Sequence, residues 1–218
     1  MAEIMEANIE NESECSEREC VLTVHELVTK GEFEKATQVC EQEPYSHISK
    51  CQEYLVWCQE QLGWSYYEKD ELKTSYKWFL EAKRKGSAEA IFGIASIDYK
   101  TQQFEKALSG FELAAESGFG RACHWVGNIY REGLGVDVDY PKAMHWYKRG
   151  ADLGYLFAER YLIYLKWKNG NLIVKSMMIP KFMSLLFRGG CIARKNINDI
   201  RLIDFRKSSQ NFLKKHQK

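Results

Sequence analysis

Proline is scarce, at three residues in 218, so little in the chain interrupts helices. Long apolar runs are missing as well. No stretch of eighteen or more uncharged apolar residues occurs, and the nearest, Leu172 to Phe187, is broken by Lys175 and Lys181 and carries Pro180. A membrane-spanning helix is therefore not expected. The opening MAEIMEANIENESECSE has neither the basic start nor the apolar core of a secretory signal, and its glutamates are foreign to a transit peptide. A cytoplasmic location is the expectation. The seven cysteines include no CxxC pair, and in that compartment thiols are expected to stay reduced. There is no Walker loop, no GxGxxG behind a strand, no nucleophile elbow and no Cys-His signature. No enzyme activity, cofactor or small-molecule substrate is expected.

What is present is apolar residue in quantity, 45% of the chain, and a steep charge gradient hidden under a net charge of +1. Residues 1–60 hold 14 acidic and 4 basic groups, whereas residues 160–218 hold 2 acidic and 14 basic groups. Residues 1–19 are expected to be an acidic, disordered start. Residues 191–218 are expected to form a basic capping helix or tail, with Ile197, Ile200, Ile203 and Leu213 as its apolar positions.

Between these ends the sequence repeats itself. FEKA stands at Phe33 to Ala36 and again at Phe104 to Ala107. The same slot is filled by Leu72-Lys73-Thr74-Ser75, Tyr140-Pro141-Lys142-Ala143 and Ile179-Pro180-Lys181-Phe182. The steps of 39, 32, 36 and 39 residues are those of helix-hairpin arrays. An aromatic at 79, 111 and 147 follows each small slot residue by four, with Ala82, Ala114 and Ala151 next and Gly86, Gly118 and Gly154 after them. Ala143, Tyr147 and Ala151 are spaced i, i+4 and i+8, which is one face of a helix. The glycine then ends that helix.

In the segment 121–154, Ala122, Val126, Gly127, Ile129 and Tyr130 read as a first helix closed by Gly133. Gly135-Val136 reads as a turn, Asp139 as an N-cap and Pro141 as a first-turn residue of a second helix reaching about Gly150. Written as A-x-x-x-V-G-x-x-Y-x-x-G-x-G-V-x-x-D-x-x-K-A-x-x-W-Y-x-x-x-A-x-x-G-x-x-x-A, residues Ala122 to Ala158 resemble a Sel-one-like repeat, a relative of the tetratricopeptide repeat. The resemblance is close there and moderate over 88–121, whose interhelical loop is two residues shorter. It is weak over about 54–87 and 158–190, while 20–43 is closer to a generic tetratricopeptide hairpin. The resemblance implies an all-α, right-handed superhelical solenoid of four or five antiparallel helix pairs over residues 20–190, with its clearest repeats at 88–121 and 122–157. It also implies a non-catalytic scaffold or adaptor for a protein or peptide partner in a concave groove.

If the first helix of each repeat lines that groove, its inward stripe carries His124, Asn128 and Arg131, then Glu60, Trp64 and Tyr67, then Ala90, Ile94 and Ile97, and then Arg160, Tyr164 and Trp167. Trp, Tyr and Arg are the residue types enriched where partners bind. The same Trp and Tyr are equally suited to packing one repeat on the next. Cys123, His124, His145 and Asp139 do not make a metal site, because Asp139 is already a cap. Cys40, His47, Cys51 and Cys58 lack zinc-finger spacing, and Cys51 and Cys58 share a face with Tyr54 and Leu55 as core thiols do. No metal is expected. The alternative function is a peripheral adaptor making weak contact with an anionic membrane surface through the basic C-terminus. Nucleic acid is not expected, since the tail has few aromatics to stack on bases.

Overall fold

The computed structural model describes residues 21–42, 49–169 and 172–195, and every regular element among them is an α-helix. They belong to two compact units, residues 1–101 and 102–218. The first holds α1 (residues 21–29), α2 (Phe33–Glu41), α3 (Ser49–Glu68), α4 (Leu72–Arg84) and α5 (Ala88–Lys100). The second holds α6 (Phe104–Glu116), α7 (Gly120–Glu132), α8 (Tyr140–Asp152), α9 (Leu156–Asn169) and α10 (Leu172–Lys195). Within each unit consecutive helices pack together, and α3 also touches α5 as α7 touches α9. Short connections make neighbouring helices antiparallel, so the fold is the all-α stack of helix pairs that the repeat implies. No described helix is long and apolar enough to cross a membrane.

Local chemistry sets the helix boundaries. Four helices begin on the repeat slot itself, at Phe33, Leu72, Phe104 and Tyr140. The side chain of Asp139 accepts from the Lys142 N–H at 2.8 Å, with Pro141 in the first turn of α8. Ser87 caps α5 by accepting from the Ala90 N–H at 2.9 Å. Gly86, Gly118 and Gly154 all take positive φ, between 81° and 88°. The next residue's N–H then reaches back to the carbonyl five residues earlier: Ser87 to Ala82, Phe119 to Ala114 and Tyr155 to Gly150. That is the Schellman closure, and it needs a residue without a Cβ at the left-handed position.

The fifth slot differs from its sequence reading. Ile179 does not start a helix but lies inside α10, which begins at Leu172, and Pro180 is interior. The Ile-Pro-Lys string mimics the Tyr-Pro-Lys start of α8, but proline's first-turn preference is only a preference. Here the helix tolerates it without the hydrogen bond its missing N–H would make. α10 also runs through residue 190 to Lys195, so the boundary drawn between 190 and 191 falls within a helix. Residues 1–19 and the tail from 196 onward lie outside the described residues.

The turn before the slot has its own regularity. The residue two positions ahead of it is left-handed in Gly31 (φ 76°), Asp70 (φ 66°) and Gln102 (φ 61°). A left-handed residue with a Cβ costs about 1–2 kcal/mol, partly offset in a glycine variant by the greater entropy of its unfolded chain. Gln102→Gly is therefore expected to raise stability by about 0.5–1 kcal/mol, read as a higher urea midpoint at unchanged m-value.

Aromatic rings on the second helix of a pair dock on glycines of the first. A Cβ at Gly63 or Gly93 would lie 2.5–2.6 Å from the Phe79 ring, and one at Gly127 would lie 2.6 Å from the Tyr147 ring. The bare backbone there is what admits a fully buried ring between helices. In the first unit Phe79, Ala82, Ala90 and Ile97 form one core with Trp64 and Tyr67 packed on it. Val24, Ala36, Cys40, Cys51, Leu55 and Cys58 form another. In the second, Ala143, Tyr147 and Leu165 pack with Tyr130 and Tyr161, and Leu156 and Ile163 pack with Met178 and Leu185.

Candidate functional site

Glu60, Trp64 and Tyr67 lie one above the other on α3 and are used to hold α5. Glu60 is buried, and its Oε1 accepts from the Ser87 hydroxyl at 2.5 Å. Burial pushes its carboxyl up to about 7; the Ser87 bond opposes this and the neighbouring Glu89 adds to it. Trp64 donates its Nε1–H to Glu89 at 3.0 Å and meets Phe79 edge-on, with ring centroids 5.0 Å apart. The Tyr67 ring carries the Lys100 ammonium 4.7 Å from its centroid. Ala90 and Ile97, the neighbouring stripe positions, are buried in the same core, with Ile94 packed against it.

His124, Asn128 and Arg131 on α7 do converge, and Tyr147 of α8 is the group that joins them. Arg131 Nε donates to the Tyr147 hydroxyl at 3.2 Å, and that hydroxyl donates to Asn128 Oδ1 at 2.7 Å. With its oxygen so engaged, Asn128 presents Nδ2 to His124 Nε2 at 3.1 Å, which assigns the acceptor role to that ring nitrogen. His124 is buried among Tyr147, Tyr155, Phe157 and Tyr161, the last with its centroid 4.9 Å away. The Tyr147 phenol is pushed up to about 12, burial outweighing the opposing pull of Arg131. It stays protonated and serves as the hub of the network. Arg131 also pairs with Glu132 and lies over the Tyr161 ring at 5.2 Å.

Arg160, Tyr164 and Trp167 of α9 present themselves differently. Tyr164 and Trp167 are 47% and 46% exposed. The Arg160 guanidinium sits over the rings of Phe157 and Tyr161, at 4.6 and 5.3 Å, and meets no carboxylate among the described residues. Arg131 and Arg160 thus bracket Tyr161, giving α7 and α9 a cationic, aromatic surface. Tyr161, which the stripe omits, is central to it. It follows Arg160 directly, and its role is set by Tyr147, whose ring stacks on it at 5.4 Å. Beside Tyr164 and Trp167 opens an apolar cavity of about 250 Å³, completed by Ile163 and by Met178, Ile179, Phe182 and Met183 of α10.

Cys40, Cys51 and Cys58 come together as members of one buried core. Among the described residues no three His, Cys, Asp or Glu side chains stand close enough to hold a metal ion. Cys40, Cys58 and Cys123 are free and buried, and burial pushes the Cys58 thiol up to about 12. Cys51 is disulfide-bonded, so the expectation of reduced thiols fails there. That expectation rested on compartment and on the absence of a CxxC pair, neither of which decides whether two sulfurs meet in a fold. His47 lies outside the described residues.

A Sel1 repeat family model matches residues 59–87 and 120–155. The second stretch is the one whose motif is plainest. The chain is 32% identical over 90 residues to an uncharacterized protein of Neisseria meningitidis serogroup B, a match covering 39% of this chain and 19% of that protein. It therefore spans about a fifth of that relative's length. The fold is similar to the crystal structure of a Sel1 repeat protein from Oxalobacter formigenes, with a TM-score of 0.52 and 24% identity over 69% of this chain and 62% of the other.

Proposed function

We propose that this chain, a Sel1-repeat protein, is a non-catalytic interaction scaffold whose partner is a protein segment bearing carboxylate and apolar side chains, bound across α7 and α9. The observation that carries the reading is the face of α9. Arg160 there has no carboxylate opposite it among the described residues, and Tyr164 and Trp167 follow at i+4 and i+7, half exposed. A guanidinium held flat on aromatic rings keeps its outer edge available for bidentate pairing with a carboxylate. Large amphipathic rings beside it supply apolar contact at little entropic cost. The His124–Asn128–Tyr147–Arg131 network supports this face from beneath by fixing the ring of Tyr147, on which Tyr161 stacks. Glu60, Trp64 and Tyr67 serve the packing of α3 on α5.

The test begins with a photo-crosslinking phenylalanine at position 164 of the full chain, which identifies what lies against α9. Affinity for that partner is then measured with Arg160→Glu and with Tyr164→Ala/Trp167→Ala. Each is expected to weaken binding by about tenfold or more, the effect of one lost interfacial anchor. His145→Ala, on α8 away from this face, is expected to change nothing. Affinity within about twofold of the parent in both variants would sink the reading.

A further inference from the structure

α10 has two apolar faces, and only one of them is packed. Met178 and Leu185, seven residues apart, are buried with Leu156 and Ile163 of α9. Ile179, Phe182, Met183, Leu186 and Phe187 recur at i, i+3, i+4, i+7 and i+8, the spacing of a second stripe, and all five are exposed, by 41% to 74%. At about 100° per residue they cover an arc of about 140°, and Lys181 and Arg188 fall outside it. Three of the five line the apolar cavity between α9 and α10, where Tyr164 and Trp167 form the opposite wall. Large apolar side chains left in solvent side by side along one helix mark a contact face, which singly scattered ones do not.

We infer that this face is seated in the interfacial layer of an anionic lipid membrane, with α10 lying parallel to the bilayer plane. Two observations choose that occupant. The five side chains of the stripe carry no hydrogen-bonding group, whereas a protein interface places a hydrogen bond about every 100–200 Å² and surrounds its apolar centre with a polar rim. The charge around the stripe is of one sign. Over residues 156–168 and 176–188 five side chains are basic, and Glu159, the one acidic residue there, pairs with Arg188. Lys166 and Lys168 are exposed on either side of Trp167, and Lys181 is exposed on α10. Acyl chains take up the stripe, while anionic headgroups meet the lysines, whose aliphatic stems reach across the apolar layer to the charge. A second copy of the chain would answer the stripe but would bring the same positive charge against itself. No described helix is long and apolar enough to cross a membrane, so the contact is interfacial. It is independent of the protein partner proposed for α7 and α9.

Co-sedimentation of the full-length chain with phosphatidylcholine vesicles, with and without phosphatidylserine, tests the assignment. Binding is expected to be at least about tenfold tighter with phosphatidylserine, and to weaken at least about fivefold as salt rises from about 0.1 M to about 0.5 M. Met183→Glu/Phe187→Glu, both at exposed positions, is expected to weaken it by at least about tenfold, while Met183→Leu/Phe187→Leu stays within about twofold of the parent. In the parent, peptides covering 176–188 are expected to exchange deuterium at least about fivefold more slowly once these vesicles are added, with α7 unchanged. Vesicle binding by the glutamate variant within about twofold of the parent overturns the assignment, since the contact then lies elsewhere in the chain. So does a parent that binds neither kind of vesicle, or both equally. A dimer seen by light scattering that the glutamate variant turns into a monomer overturns it too, by giving the face to a second copy. Arg160, Tyr164 and Trp167 are intact in every variant, so this outcome is separable from that of the partner-binding test.

Discussion

Phe79→Ala is expected to destabilise the first unit by about 3–5 kcal/mol, among the larger effects a single truncation can have. The ring is fully buried, and it is held so closely by Gly63 of α3 and Gly93 of α5 that neither glycine has room for a Cβ. Trp64 rests edge-on against it, so its loss also leaves the indole without its main neighbour. Collapse is the usual relief for such a cavity. Here collapse requires three helices to close at once, so relaxation is limited and the cost lies toward the upper end. For a unit of this size, that corresponds to a fall of at least about 12 °C in its thermal midpoint. Calorimetry of the full chain resolves it, and a shift of under about 4 °C would show that the ring is not the wedge its glycine partners imply.

Glu60→Gln is expected to make the protein more stable at pH 8 and to leave it unchanged at pH 4.5. Burial first, then Glu89, raise the folded-state carboxyl from 4.5 to about 7, against the pull of the Ser87 hydroxyl. The folded chain therefore holds this proton across a window in which the unfolded chain has released it. Stability falls as pH rises from about 4.5 through 7, and the loss is complete above that. A shift of this size corresponds to about 3 kcal/mol, an upper figure for a carboxyl that keeps a hydrogen bond. Glutamine keeps the acceptor for Ser87 and carries no charge, so it escapes the cost. Urea unfolding of parent and variant at pH 4.5, 6 and 8 isolates the group, because every other titration is common to both. A constant difference across the three pH values would refute a raised carboxyl at this position.

Both predictions start from residues whose importance the sequence shows unevenly. Phe79 is legible from its place four residues after a small slot residue, in register with Phe111 and Tyr147. Glu60 is not, because its burial depends on Ser87 and Glu89, which arrive nearly thirty residues later on another helix. His124 is similar: a stripe drawn on α7 gives it the same standing as Asn128 and Arg131, while the aromatics that bury it come from α8, α9 and the turn between them. The mistaken slot at Ile179 has a related origin. Three consecutive residues matched the start of α8, and only the helix already running from Leu172 shows that the match was incidental.

By itself the sequence determined the helical class, four helix starts, the glycine-closed helix ends, the Asp139 cap and the rings that α4, α6 and α8 turn inward. Those features follow from interactions within about one helical turn, where capping, left-handed backbone and the 3.6-residue period act on neighbours in the chain. The tertiary structure decided which polar residues are enclosed and which remain available. It gave Glu60 and His124 to the interior, left Arg160, Tyr164 and Trp167 outside, and exposed the apolar face of α10. Burial is set by whichever element lies opposite, and that element is drawn from a distant part of the chain whose approach no local pattern encodes.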